Sequence, residues 1–86
     1  MTDSNYFHVY VLMSCPFCKR AVDLLQRRQK IYTLTILDND PNMLQTVKEK
    51  YNHPTVPVVT KLNENKEYEL VGGFTELDQL LNEPQV

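Results

Sequence analysis

An α/β fold in the order β-α-β-α-β-β-α is predicted by three observations. Hydrophobic periodicity alternates between strand-like and helix-like runs, proline stands at two helix starts, and a polar turn, Asn63-Glu64-Asn65-Lys66, divides the last two strand-like runs. A β-α-β beginning implies parallel strands joined by a right-handed crossover, and the closing hairpin adds antiparallel strands, so the sheet is expected to be mixed. At 86 residues the chain is expected to be a single domain over 1–86, with no internal repeat and no linker.

The elements follow in order. Phe7 to Met13 reads as a buried strand. Cys18, Ala21, Val22 and Leu25 then recur at helical spacing and predict the core stripe of an amphipathic helix, with Pro16 in its first turn, where a missing N–H costs nothing. Ile31 to Leu37 is β-branched and alternating, a second strand. Asp38-Asn39-Asp40-Pro41 closes it and opens a second helix, with Asp40 as cap and Pro41 at the first helical position; Met43, Leu44, Val47 and Tyr51 continue the spacing. Val58 to Leu62 and Tyr68 to Val71 are the hairpin strands, and Gly72-Gly73 ends the second of them. Thr75 and Asp78 have the spacing of a capping box, and Phe74, Leu77, Leu80 and Leu81 give a final short helix its apolar face.

Composition narrows the functional classes. Hydrophobic residues make up 42% and charged residues 23%, values of a globular chain, and the net charge of −2 argues against nucleic acid as partner. No apolar run approaches the ~20 residues of a membrane span, and Met-Thr-Asp-Ser-Asn is not the basic start of a secretory signal, so a cytoplasmic location is expected. Charge is uneven: Lys19, Arg20, Arg27, Arg28 and Lys30 follow the cysteines with only Asp23 among them, whereas the chain from Leu62 onward is acidic apart from Lys66. Arg27, Arg28 and Lys30 are accounted for as the end of a helix, which favours cations; Lys19 and Arg20 lie close enough to act on the sulfurs.

Cys15-Pro16-Phe17-Cys18 contains the only two cysteines. At a strand-to-helix junction the i, i+3 spacing puts both sulfurs on one helix face, within reach of a short reversible disulfide. Free N–H groups at the helix start favour a nucleophilic thiolate on the first of them. Zinc needs four ligands, and only His8 and His53 could complete a set; neither has ligand spacing, so no metal is expected. Two inert buried thiols would not require a helix start. In a reducing compartment a dithiol reads as catalytic rather than structural. Cys15 is then the attacking thiolate, and Cys18, one turn inside on the core stripe, the resolving thiol.

Cys15-Pro16-Phe17-Cys18, Thr55-Val56-Pro57 and Gly72-Gly73-Phe74-Thr75-Glu76-Leu77 stand in the order and approximate spacing of the glutaredoxins, which the chain resembles over essentially its whole length. The resemblance implies a thioredoxin fold, a four-stranded mixed sheet flanked by three helices, with the three motifs converging at one edge. It implies a thiol–disulfide oxidoreductase that uses glutathione as co-substrate and reduces protein disulfides and protein–glutathione mixed disulfides, acting as a monomer. It also implies a cis Val56-Pro57 bond, with Thr55, Val56 and Pro57 pairing to the thiol peptide and Phe17 forming an apolar wall beside it. Gly72 and Gly73 would let the helix-start amides of Phe74, Thr75 and Glu76 meet the γ-glutamyl carboxylate of glutathione. Glu76 stands where many members carry Asp, and Leu12 where many carry a Lys that meets the glycyl carboxylate.

Three alternatives follow from the same residues. Phe74 also resembles glutaredoxin-like reductants recharged by thioredoxin reductase. An iron–sulfur carrier bridging two protomers through Cys15 is disfavoured by Pro16 and Cys18, where monothiol carriers have Gly and Ser. A non-catalytic binding module would be inert toward a model disulfide.

Overall fold

The computed structural model describes residues 6–82. Its elements are β1 (Tyr6–Val11), α1 (Pro16–Arg27), β2 (Ile31–Ile36), α2 (Pro41–Lys50), β3 (Val58–Leu62), β4 (Tyr68–Gly72) and α3 (Phe74–Asn82). They form a four-stranded sheet in the order β2-β1-β3-β4, in which β1 pairs parallel with β2 and antiparallel with β3, and β3 pairs antiparallel with β4. This is the thioredoxin-like arrangement of mixed sheet and three helices that the sequence leads one to expect.

The period-two alternation of β1 divides the molecule into layers. Phe7, Val9 and Val11 point to one face, where Cys18, Ala21, Leu24 and Leu25 of α1 and Leu77 of α3 close over them and over Val59. Tyr10, and Leu12 just after the strand, pack on the other face with Leu37, Val58, Leu44 and Val47 of α2 and Tyr51 at its C-cap. Leu25 is fully buried at this packing, where truncation of a Leu to Ala costs about 2 to 5 kcal/mol. Val22, expected in the core stripe, is only half-buried, because it faces the sheet edge beside the exposed Leu34. Met43 likewise points to water although it keeps helical spacing.

Two expectations need correction. The first strand ends at Val11 rather than Met13, because the chain must turn to bring Cys15 to the start of α1; that turn is closed by the Cys15 N–H donating to the Leu12 carbonyl at 3.2 Å. The capping box on Thr75 and Asp78 does not form. Helix α3 starts one residue after Gly73, so Glu76 is the side chain that reaches back, its Oε1 accepting from the Gly73 N–H at 2.8 Å, while Asp78 is taken up by the Asn82 side-chain amide. The hairpin turn forms as predicted: Asn63 Oδ1 accepts from the N–H groups of Asn65 and Glu67, and Lys66 adopts a positive φ of 64°. Asp40 caps α2 as predicted, accepting from Met43 N–H at 3.0 Å.

Candidate active site

Because β1 and β4 both run antiparallel to β3, the C-terminal ends of β1 and β4 meet the N-terminal end of β3 at one end of the sheet. The three sequence motifs are attached at those three ends. Topology alone therefore gathers Cys15, Pro57 and Gly73, which are far apart in the chain.

Cys15 is the N-cap of α1, in an extended conformation with φ −86° and ψ 117°. Pro16 at the first helical position has no N–H, so the helix offers its amides from the next residue onward, and the Cys18 N–H donates to Cys15 Sγ at 3.2 Å. The Cys15 thiol in turn contacts the carbonyl of Val56 at 3.8 Å. Cys15 is half-buried and both cysteines are free thiols. Cys18 is 2% exposed, and burial, reinforced by Cys15 beside it, pushes its thiol up to about 12. The two sulfurs thus differ in kind: one is half-buried, touching the Val56 carbonyl and accepting a helix-start N–H, and the other is buried and held protonated.

The Val56–Pro57 peptide is cis. Together with the β4–α3 junction it bounds a groove of about 270 Å³. Phe17, Thr55, Val56, Pro57, Gly73, Phe74, Thr75 and Glu76 line it. Phe17 is half-exposed, its ring 6.1 Å from that of Phe74, so the two aromatics pair at the groove, and the Arg20 guanidinium lies 5.2 Å above the Phe17 ring. Of the residues singled out in the sequence, Cys15 meets the groove through the Val56 carbonyl, Cys18 is buried, and Gly72 stands behind the lining. It is buried with φ +134°, and a Cβ there would fall 2.7 Å from Glu76 Cγ, so the position requires glycine.

His53 also lines the groove, a position its sequence context did not reveal. Its Nδ1–H donates to the Thr55 carbonyl at 2.8 Å, which holds the ring toward Gly73. Glu76 is held below the usual carboxylate range, first by the Gly73 N–H, with its own N–H and nearby His53 adding to the effect. Leu12 is half-buried against the α2 cluster. His8, the other histidine, sits on β1, stacked on Tyr10 at 4.3 Å, with Nε2 2.6 Å from Thr35 Oγ1. A larger cavity of about 420 Å³ between α3 and β4 shares Glu76 with the groove but contains no cysteine.

The thioredoxin-like fold thus carries a half-buried N-cap cysteine with a buried cysteine one helical turn on. The family model of the glutaredoxins matches residues 8–64, and the chain belongs to that family. The matched stretch includes Cys15, Cys18 and the cis-proline segment and ends before Gly72-Gly73. No curated protein matches the chain significantly. Membership in the family makes the protein a thiol oxidoreductase. Among the described residues no helix is long and apolar enough to cross a membrane.

Proposed function

We propose that the protein is a dithiol glutaredoxin that reduces protein–glutathione mixed disulfides and protein disulfides, with glutathione as its electron donor. The observation that carries this reading is the groove: the Cys15 thiol touches the Val56 carbonyl that lines it, and the first residues of α3 line it too, so a short thiol peptide can meet the sulfur and the helix-start amides together.

In the proposed cycle Cys15 attacks the glutathione sulfur of a glutathionylated protein, the S–S bond breaks, and the protein thiolate leaves and takes up a proton. The Cys18 N–H stabilises negative charge on Cys15 Sγ before attack. From the resulting Cys15–glutathione mixed disulfide, a second glutathione thiolate attacks the bound glutathione sulfur, releasing oxidised glutathione and reduced Cys15. For a protein disulfide, Cys15 attacks one sulfur and the other leaves as a thiolate. Cys18 then gives up its proton to that thiolate and attacks Cys15 Sγ, breaking the Cys15–protein bond, releasing the second protein thiolate and closing the Cys15–Cys18 disulfide. Two glutathiones then reduce this disulfide to dithiol as they become oxidised glutathione. Thr55 and Val56 supply main-chain pairing for the peptide, Phe17 and Phe74 its apolar walls, and Thr75 a hydroxyl beside the helix-start amides.

Leu12 favours a second electron source. An apolar side chain packed on α2 stands where many relatives hold a cation, and the Phe17–Phe74 pair leaves an apolar rim that a flavoprotein reductase could cover. The test is a coupled assay on one glutathionylated peptide. Turnover with glutathione and glutathione reductase is expected; turnover with thioredoxin reductase alone would replace glutathione as the donor, and turnover with neither would overturn the enzymatic reading.

A further inference from the structure

Strand β2 forms one edge of the sheet, and its sequence, Ile31 to Ile36, contains no charge, proline or glycine. Natural edge strands are normally protected by such residues, by a bulge or by a covering element. Here Ile31, Leu34 and Ile36 are 53%, 37% and 47% exposed. The Leu37 N–H donates inward to the Val11 carbonyl at 3.0 Å, so by the alternation of a strand the main-chain groups of Tyr32, Leu34 and Ile36 point outward, away from β1.

We infer that this edge is an interface for a second copy of the chain, in which two β2 strands pair antiparallel about a two-fold axis at Leu34 and join two sheets into one. The argument is self-complementarity. A two-fold at Leu34 makes Leu34 face its own copy and Tyr32 face Ile36, so that every outward N–H and C=O of the strand is used, roughly six hydrogen bonds at two per directly opposed pair. On one face this sets aromatic against β-branched and Leu against Leu; on the other it sets Thr33 against Thr35. These are the cross-strand pairs that stabilise sheets. The same register brings Lys30 of each copy toward Asp38 of the other, whose Oδ1 accepts the Met13 N–H at 2.9 Å within its own chain and whose second oxygen can take the added cation, a charge match at both ends. Moving the axis to Thr33 would put Ile36 against Lys30, and moving it to Thr35 would put Tyr32 against Asp38, with fewer hydrogen bonds in either case. An apolar cavity of about 290 Å³ lined by Met13, Val22 and Leu34 flanks the strand and would be covered by the partner. The thiol groove borders α3 and the β3 end of the sheet, so it stays open in the pair. The monomer expected from the sequence becomes one end of a concentration-dependent equilibrium.

Sedimentation of the full reduced chain from micromolar to millimolar concentration tests this. The mass is expected to rise from 10.1 kDa toward twice that value, and Leu34→Lys, which sets like charges on the axis, is expected to stay monomeric with unchanged reduction of a small disulfide. Lys30→Asp and Asp38→Lys should each weaken association several-fold, and together restore it. In a Cys15→Ser/Cys18→Ser background, Leu34→Cys should form a disulfide-linked dimer, since hydrogen-bonded opposed Cα atoms lie about 5.5 Å apart. Ile31→Cys, about 20 Å from its copy in this register, should not. A wild-type mass that stays monomeric at millimolar concentration, a dimer that survives Leu34→Lys, or cross-linking of Ile31→Cys as fast as Leu34→Cys would overturn the inference.

Discussion

The Glu76 carboxylate takes up the Gly73 N–H at 2.8 Å, so the start of α3 is capped by its own third residue and negative charge stands at the end of the thiol groove. The hydrogen bond depresses the carboxyl below its usual value of 4.5. A depressed acid stabilises the fold above its unfolded pKa, and the contribution is lost as pH falls through the folded value. Glu76→Ala is therefore expected to lower the melting temperature at neutral pH, by the equivalent of about 0.5 to 1 kcal/mol for an exposed cap. The gap between variant and wild type should narrow as the pH falls from 4.5 through the lower folded value, below which the wild-type side chain is uncharged too; a gap independent of pH would mean that the carboxylate does not supply the cap.

The two cysteines should separate in both chemistry and catalysis. Because Cys18 is held as a thiol, a small alkylating agent at neutral pH is expected to add once, at Cys15, and twice only after unfolding, as read by intact mass. Cys15→Ser should abolish turnover. On the proposed cycle Cys18→Ser should keep deglutathionylation and lose the reduction of intramolecular protein disulfides.

His8 predicts an acid limb of stability remote from the site. Burial lowers its pKa from 6.5, so the unfolded chain binds the proton more readily than the folded one, and stability falls as pH drops below 6.5 until the folded value is reached. His8→Gln should flatten the denaturant midpoint across that window. An unchanged slope in the variant would assign the acid limb to other groups.

Leu12→Lys tests the cation that many relatives carry. The side chain leaves the α2 cluster, which should cost about 1 kcal/mol for a half-buried residue whose stem can still pack. On the glutathione reading the apparent KM for glutathione should fall by about 1.4- to 5-fold at low salt, the worth of one exposed ion pair, and the gain should shrink as salt rises. A folded variant with an unchanged KM would show that the glycyl carboxylate is held elsewhere.

Most of the architecture was readable because local signals agreed with tertiary placement. Asp40-Pro41 and Cys15-Pro16 both put a cap before a first-position proline, and both helices start there. Reading failed where the deciding partner was set by the backbone path. The cap of α3 passed to Glu76 because Gly73 ended outside the helix, and no spacing rule separates that case from the Thr75–Asp78 pair. His53 reached the groove through a loop in which Asn52 turns with a positive φ of 50°, beyond any periodicity. Its nearness to Thr55-Val56-Pro57 was the one clue. The alternation of Ile31 to Leu37 was legible, but not that Val22 and Leu34 would meet at an edge rather than in the core.

The burial of Cys18 directly under Cys15 also decides where oxidative injury would fall. Peroxide reaches the half-exposed sulfur first, and the sulfenic acid formed there has a neighbouring thiol that can condense with it, losing water and yielding the disulfide. That bond is reversible, whereas a second peroxide on an unprotected sulfenic acid would give sulfinic acid and a dead enzyme. The hidden cysteine therefore acts as a fuse that resets. Under repeated peroxide exposure Cys18→Ser is expected to gain two oxygens on Cys15 and lose thiol reactivity, while the wild type, given a reductant, recovers.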